Sequence, residues 1–217
     1  MDVQPELWEI ALSVGAPFVL AIVELFHPHP HDLMKLDLNA WLFVHYAQIL
    51  LFPLSALGFT ILVRGRTGIA AIICRIAMFV FGVLYLAFDT AAGLVTGILL
   101  KAAQSSSTPN AWQPAIDAVW KHPILGGAPA PLFAILGSVA LTIGAAAAAV
   151  SFKRTGSSWI PVLLLVLSSF GIAVFKTHAW PGGPLTFGGM ALATAWLQWE
   201  RIARVSAPQA VPATLES

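Results

Sequence analysis

Glu24 and His27 stand three residues apart, so on a helix they share one face. His45 and Gln48 repeat that spacing. Glu-x-x-His on a helix is how carboxylate bundles hold metal, with facing helices supplying the remaining ligands. Here the facing segments offer His45 and Asp89, and His178 closes the set from a loop. Neutral imidazoles mixed with carboxylates suit zinc, iron or copper. The predicted ligands are therefore His27, His45, His178, Glu24 and Asp89, with Asp89 or Glu24 as general base in a catalytic version of the site. A metal held there would activate water or oxygen against a lipid-soluble substrate.

Each of these residues also has a plainer reading. Glu24 reads equally as a terminal-turn carboxylate facing water. Asp89 lies in Leu86-Ala-Phe-Asp-Thr-Ala-Ala-Gly93, apolar on both sides. An ionisable group in hydrocarbon is costly, so it must face the bundle interior and pair or bind an ion. The structural alternative for Asp89 is a salt bridge or hydrogen bond to His45 or Lys176. His29 and His31, in His27-Pro-His-Pro-His-Asp32, read as a proline-stiffened exposed loop that captures metal loosely at best. His122 precedes Pro123 and reads as a surface loop residue.

The elements that must position these groups are apolar. Of 217 residues, 58% are hydrophobic and 10% charged, with mean hydropathy +0.83. Soluble domains carry about a quarter charged residues, so lipid must cover much of this surface. The fold class expected is an all-α integral membrane protein with about six transmembrane helices. The spans are about 7–26, 38–63, 68–100, 131–152, 159–175 and 186–205. The third is too long for one perpendicular crossing and must tilt, project past the bilayer or kink near Gly82 or Gly93. The acidic start, Met1 to Glu9, is unlike a signal peptide, so the first span reads as retained. An outer loop, 101–130, is the longest connection. In it, Trp112, Ile116, Val119 and Trp120 have helical spacing that suits a short helix lying on the membrane surface. From Ser206 to Ser217 the tail is polar and reads as disordered.

Charge sets the expected orientation. All six arginines (Arg64, Arg66, Arg75, Arg154, Arg201 and Arg204) fall at one end of the bundle, which the positive-inside rule makes cytoplasmic. Both termini are then cytoplasmic, in a bacterial-type plasma membrane. The six histidines fall at the outer end. Asp89 lies there too, 21 residues along its span, or about 31 Å at helical rise. Trp8, Trp159, Trp196 and Trp199 would form the inner aromatic belt, Trp41 and Trp180 the outer one. Gly93 and Gly97 permit a close helix contact, as does the small-residue run Ala145 to Ala149. The turn Trp180-Pro-Gly-Gly-Pro184 aims His178 and Trp180 over the outer mouth.

Several function classes fall away. Net charge is +1 with no basic-aromatic patch, so nucleic acid is not a partner. The single cysteine, Cys74, excludes an intrachain disulfide and a CxxC site. There is no Gly-x-Ser-x-Gly elbow, no phosphate loop and no His-Glu-x-x-His. A midplane free of charge argues against a transporter. The leading expectation is a metal-binding membrane protein, a hydrolase or oxidoreductase acting at the outer leaflet on a hydrophobic small molecule. Two others stand beside it: a haem or copper electron carrier, and a non-catalytic subunit of a membrane complex. Haem ranks lower, because only His45 lies well inside a span. Membrane lipid is the expected surroundings, with a homo-oligomer or complex partner compatible with the scarce loops.

Overall fold

The computed structural model describes residues 4–30, 32–127 and 130–206. His31 and the tail beyond Ser206 lie outside them, as do Ala128 and Pro129. Every regular element among the described residues is helical. The helices are α1 (Leu7–Glu24), α2 (Leu38–Leu62), α3 (Ile69–Gln104), α4 (Gln113–Trp120), α5 (Leu132–Arg154), α6 (Trp159–Phe175) and α7 (Gly182–Ser206). Four of these, α1, α2, α3 and α5, are long and apolar enough to cross a membrane. α6 is apolar but shorter, and the last third of α7 carries Gln198, Glu200, Arg201 and Arg204.

Apart from α4, each helix packs on its neighbours in sequence, and α7 returns to α1, so six helices close a ring. The closest pair is α3 with α5. Small residues explain it: Ala145, Ala148 and Ala149 are buried, while Gly137 and Gly144 approach Tyr85 and Met78 too closely for a side chain to intervene. The α2–α3 crossing is likewise close where Gly82 meets Ala56. Inside the ring, Phe52, Phe81, Tyr85 and Phe187 contact one another edge to face or tilted, all fully buried. Outward-facing Leu, Ile, Val and Phe side chains along α1, α2, α3 and α5 stay exposed, a surface suited to lipid rather than water.

Two helices depart from α geometry. Ala11–Gly15 of α1 and Asp89–Val95 of α3 each form a π-type turn. The second answers the length of the third span: α3 continues past it to Gln104 as one element. Its C-terminal end does not float free. Leu100 and Ala103 pack with Leu38 and Ile116 in a small second core. Helix α4 therefore turns its buried Ile116 onto the protein, which its apolar spacing alone had suggested would rest on the membrane surface.

At the arginine end, side chains tie the turns together. Arg64 Nη1 donates to Glu9 Oε1 at 2.7 Å. Arg75, without an evident partner in the sequence, donates to the carbonyls of Val63 and Arg66 at 3.1 and 3.2 Å, capping the end of α2. Arg66 lies over the Phe152 ring, 3.7 Å from its centroid, and donates to Thr155. Cys74 is buried and structural in character.

Candidate metal centre

The end of the ring opposite the arginines gathers three histidines from three elements. His27 follows the last turn of α1, His45 lies two turns into α2, and His178 sits in the loop before α7. One ring nitrogen from each lies within 4.8 Å of the other two. His27 Nε2 and His178 Nε2 are 3.2 Å apart. Two nitrogens sharing a tetrahedral zinc at ordinary bond lengths lie about 3.3 Å apart. His45 Nε2 or Nδ1 lies within 4.8 Å of the other two, so completing such a set asks for an approach of about 1.5 Å at most.

Backbone carbonyls fix the tautomers of two rings. His45 Nδ1 lies 2.7 Å from the Trp41 carbonyl, and His27 Nδ1 lies 2.9 Å from the Pro28 carbonyl. A carbonyl only accepts, so each Nδ1 carries the proton and each Nε2 presents a lone pair. Orienting a ligand histidine through its second nitrogen is the usual support of metal sites. With the His27 lone pair aimed at it, His178 Nε2 is the donor of the 3.2 Å contact in the metal-free protein. Ligation through that atom would shift the proton to Nδ1. Burial lowers the His27 pKa to about 4, keeping the ring neutral. Burial, and then the neighbouring His27 and His45, hold His178 well below its ordinary value.

The two carboxylates are placed differently. Asp89 opens the π-type turn of α3, with Oδ1 3.8 Å from His45 Nε2. It is buried, and neither carboxylate oxygen has a hydrogen-bond partner among the described residues. Lys176 forms no ion pair with it among the described residues. Glu24 is fully buried, so the water-facing alternative is not what the fold adopts. Its Oε1 accepts from Gln48 Nε2 at 2.7 Å, while Oε2 is unpartnered among the described residues. The two three-residue spacings thus meet across the α1–α2 contact: His27 with His45 near the end of the ring, Glu24 with Gln48 one turn deeper. Glu24 and Asp89 stand beside the nitrogen cluster rather than within it.

Glycines make room for the rings. A Cβ at Gly93 would overlap the His45 ring, and one at Gly97 would lie 2.8 Å from Trp41 Cδ1. The Gly-x-x-x-Gly pair therefore seats aromatic rings of α2 rather than a bare backbone contact. A Cβ at Gly183 would overlap the His178 carbonyl. The turn before α7 thus packs directly on the residue that it positions. Trp180, in contrast, points outward and is 53% exposed.

Three contributors were not evident as site residues. Trp41, expected in the outer aromatic belt, is buried. Its indole donates to the Gly93 carbonyl at 2.8 Å, and its ring lies 4.2 Å from His45 and 5.3 Å from His27. The widened turn of α3 presents that carbonyl inward, and an indole N–H one turn from His45 reaches it. The i, i+4 spacing of Trp41 and His45 was the available signal. Tyr85 shares a 2.7 Å hydrogen bond with Ser138, whose hydroxyl donates to the Ala134 carbonyl. Lys176 ends α6 in left-handed conformation, φ 54°. Glycine or asparagine normally takes that position, and another residue there costs about 1 kcal/mol.

These groups line a cavity of about 610 Å³. Its wall includes His27, His45, His178, Asp89, Tyr85 and Trp120, with Ile135, Val139, Ile172 and Ala173 on the apolar side. The volume is that of a small-molecule site. Of the three histidines expected outside the site, His29 and His122 are exposed, and His31 lies outside the described residues. His122 Nδ1 accepts from the backbone of Ile124 and Leu125 at 3.3 Å each, which makes it a turn residue.

Comparison with protein-family models, with curated proteins and with solved structures finds no match to this chain. The functional reading therefore rests on the site.

Proposed function

We propose that this chain is a metal-dependent membrane enzyme whose ion is held by His27, His45 and His178, with Asp89 as the proton acceptor, acting on a lipid-soluble substrate at the outer leaflet. The observation that carries this reading is the convergence of three imidazoles from three elements, two of them with the lone pair directed by a backbone carbonyl. Three histidines with an open fourth position is a donor set of catalytic zinc. Such an ion lowers the pKa of water into the physiological range. Asp89, buried beside His45 with both oxygens uncommitted among the described residues, is suited to take the proton. Tyr85, whose proton goes to Ser138, faces the same space and can accept a hydrogen bond from a substrate hydroxyl. Glu24 braces Gln48 beneath the site and stands as a reserve ligand.

The six-membered ring of helices supports a six-crossing bundle, although α6 and α7 are less apolar or shorter than the rest. The arginine-rich end supports cytoplasmic termini, which puts the histidines on the outer side of a bacterial-type plasma membrane.

Elemental analysis and an absorption spectrum of detergent-purified protein test the assignment. Stoichiometric zinc, lost in His45→Ala and His178→Ala but kept in His122→Ala, is the expected result. A visible copper spectrum or a Soret band would move the protein to the redox readings. Absence of any retained metal, with unchanged stability after chelation, would overturn the metal centre.

A further inference from the structure

The cavity over the histidines has two chemically different ends. At the inner end stand the nitrogen cluster and Asp89. At the lateral end stand Ile135 and Val139 of α5 with Ala173 of α6. Ile135 and Val139 line the cavity and yet are 47% and 49% exposed on the lipid-facing surface. Ala173 is also exposed. The same residues therefore face the cavity and the bilayer, which makes the α5–α6 gap a side door. Contacts between these helices run mainly along Trp159–Ser169 and thin out over Gly171–Phe175, where the gap lies. Trp120, against which Gly127 is packed, also lines the cavity.

At the post of that door is Lys176. It is exposed, it lines the cavity, and it is the only cation among the described lining residues. Its neighbour Thr177 lines the cavity too, and its hydroxyl accepts from Ala179 N, leaving the O–H free to donate. Lys176 also holds the left-handed backbone geometry that glycine or asparagine would adopt more easily. An outlier of this kind at a cavity mouth points to a requirement for that side chain. Trp180, exposed four residues on, marks the level of the membrane interface. A headgroup at that level would lie beside the ammonium, with its chain passing between Val139 and Ala173 toward lipid.

Resting on the enzyme reading above, we propose that the substrate is a membrane-resident amphiphile with an anionic headgroup, admitted sideways between α5 and α6 and held at its headgroup by Lys176. The shared chemistry is a phosphate or carboxylate on an alkyl chain.

Equilibrium binding of dodecyl phosphate to the full chain in a neutral maltoside detergent tests this, with dodecanol and inorganic phosphate as the other two probes. Saturable binding of dodecyl phosphate is expected. Lys176→Asn, which suits the left-handed backbone and removes the charge, should weaken it about tenfold, and Lys176→Arg should restore it. Ala173→Trp, filling the gap from its lipid side, should abolish it. Unchanged affinity in Lys176→Asn overturns the proposal. So does dodecanol binding as tightly, or inorganic phosphate binding alone as tightly. Each titration is run with and without chelator. Dodecyl phosphate that binds to a protein retaining no metal would leave this site standing and remove the enzyme reading. Retained metal without alkyl phosphate binding would do the reverse.

Discussion

Asp89 and His45 show how much a single position can carry. Asp89→Asn preserves size and hydrogen-bonding capacity but cannot accept a proton. The expected outcome is a protein that retains zinc and loses turnover, read by elemental analysis beside an activity assay. Loss of zinc instead would make Asp89 a ligand. Gly93→Ala drives a methyl into the His45 ring, so it should displace that ligand. Metal content should fall as it does in His45→Ala. Trp41→Phe keeps an aromatic ring but removes the indole donor to the Gly93 carbonyl, which retains the Thr96 N–H, so it should cost about 0.5–1.5 kcal/mol. A thermal midpoint lowered to that extent would be read on the chelated protein. The pH dependence also has a defined sign. The folded His27 pKa, about 4, lies below the unfolded value near 6.5, so between them the unfolded chain binds more protons. Stability is full above that unfolded value and is lost as pH falls toward 4. In metal-free protein the thermal midpoint should drop between pH 7 and pH 5, and drop less in His27→Gln. Sequence spacing brought out Glu24, His27, His45, Asp89 and His178 because ionisable groups in apolar runs are few. It did not bring out Trp41, whose type suits a membrane interface equally well. It brought out Lys176 only as a partner for Asp89, because a left-handed backbone at a lysine leaves no mark in composition.

At the scale of elements, the π-type turn at Asp89–Val95 sets the site's geometry. A turn of this kind adds one residue to an otherwise regular helix, and such turns recur at functional sites. Deleting Thr90 should restore α geometry and close the widened turn, the lost residue offsetting the rewinding so that the two halves of α3 keep nearly their present phase. The Gly93 carbonyl would then no longer be presented inward to Trp41 beside His45. The expected protein still inserts and folds around the core of Phe81 and Tyr85, but retains no metal. Metal retention in that variant would show that the widened turn is dispensable. The helices themselves were legible from the apolar runs, and the predicted bounds match to within a few residues for α1, α2, α5 and α6. α3 runs four residues further than expected, because Leu100 and Ala103 bury themselves against Leu38 and Ile116. α7 starts earlier, because Gly182 and Gly183 join the helix where the sequence suggested a turn. Both shifts come from contacts with distant residues, which a local reading of hydropathy does not contain.

For the whole molecule, the two ends of the ring have opposite roles, with arginine-carbonyl contacts at one and imidazoles at the other. Sidedness is open to a direct test. In a Cys74→Ser background, Ser106→Cys in the outer loop should react with a membrane-impermeant thiol reagent on intact cells. Thr67→Cys, in the turn after α2, should react only after lysis. Reversed labelling would invert the proposed orientation, and labelling of both from outside would refute the crossing of α3. Ring order was less legible than helix number, because nothing in the hydropathy of α7 says that it returns to α1. That return has a consequence for biosynthesis. The histidines come from the first helix, the second and the loop just before the last. A ribosome that has released α1 to α5 has made only two of the three. If the proposed site holds an ion, truncated or half-inserted chains could not sequester it, and metal retention would certify complete assembly.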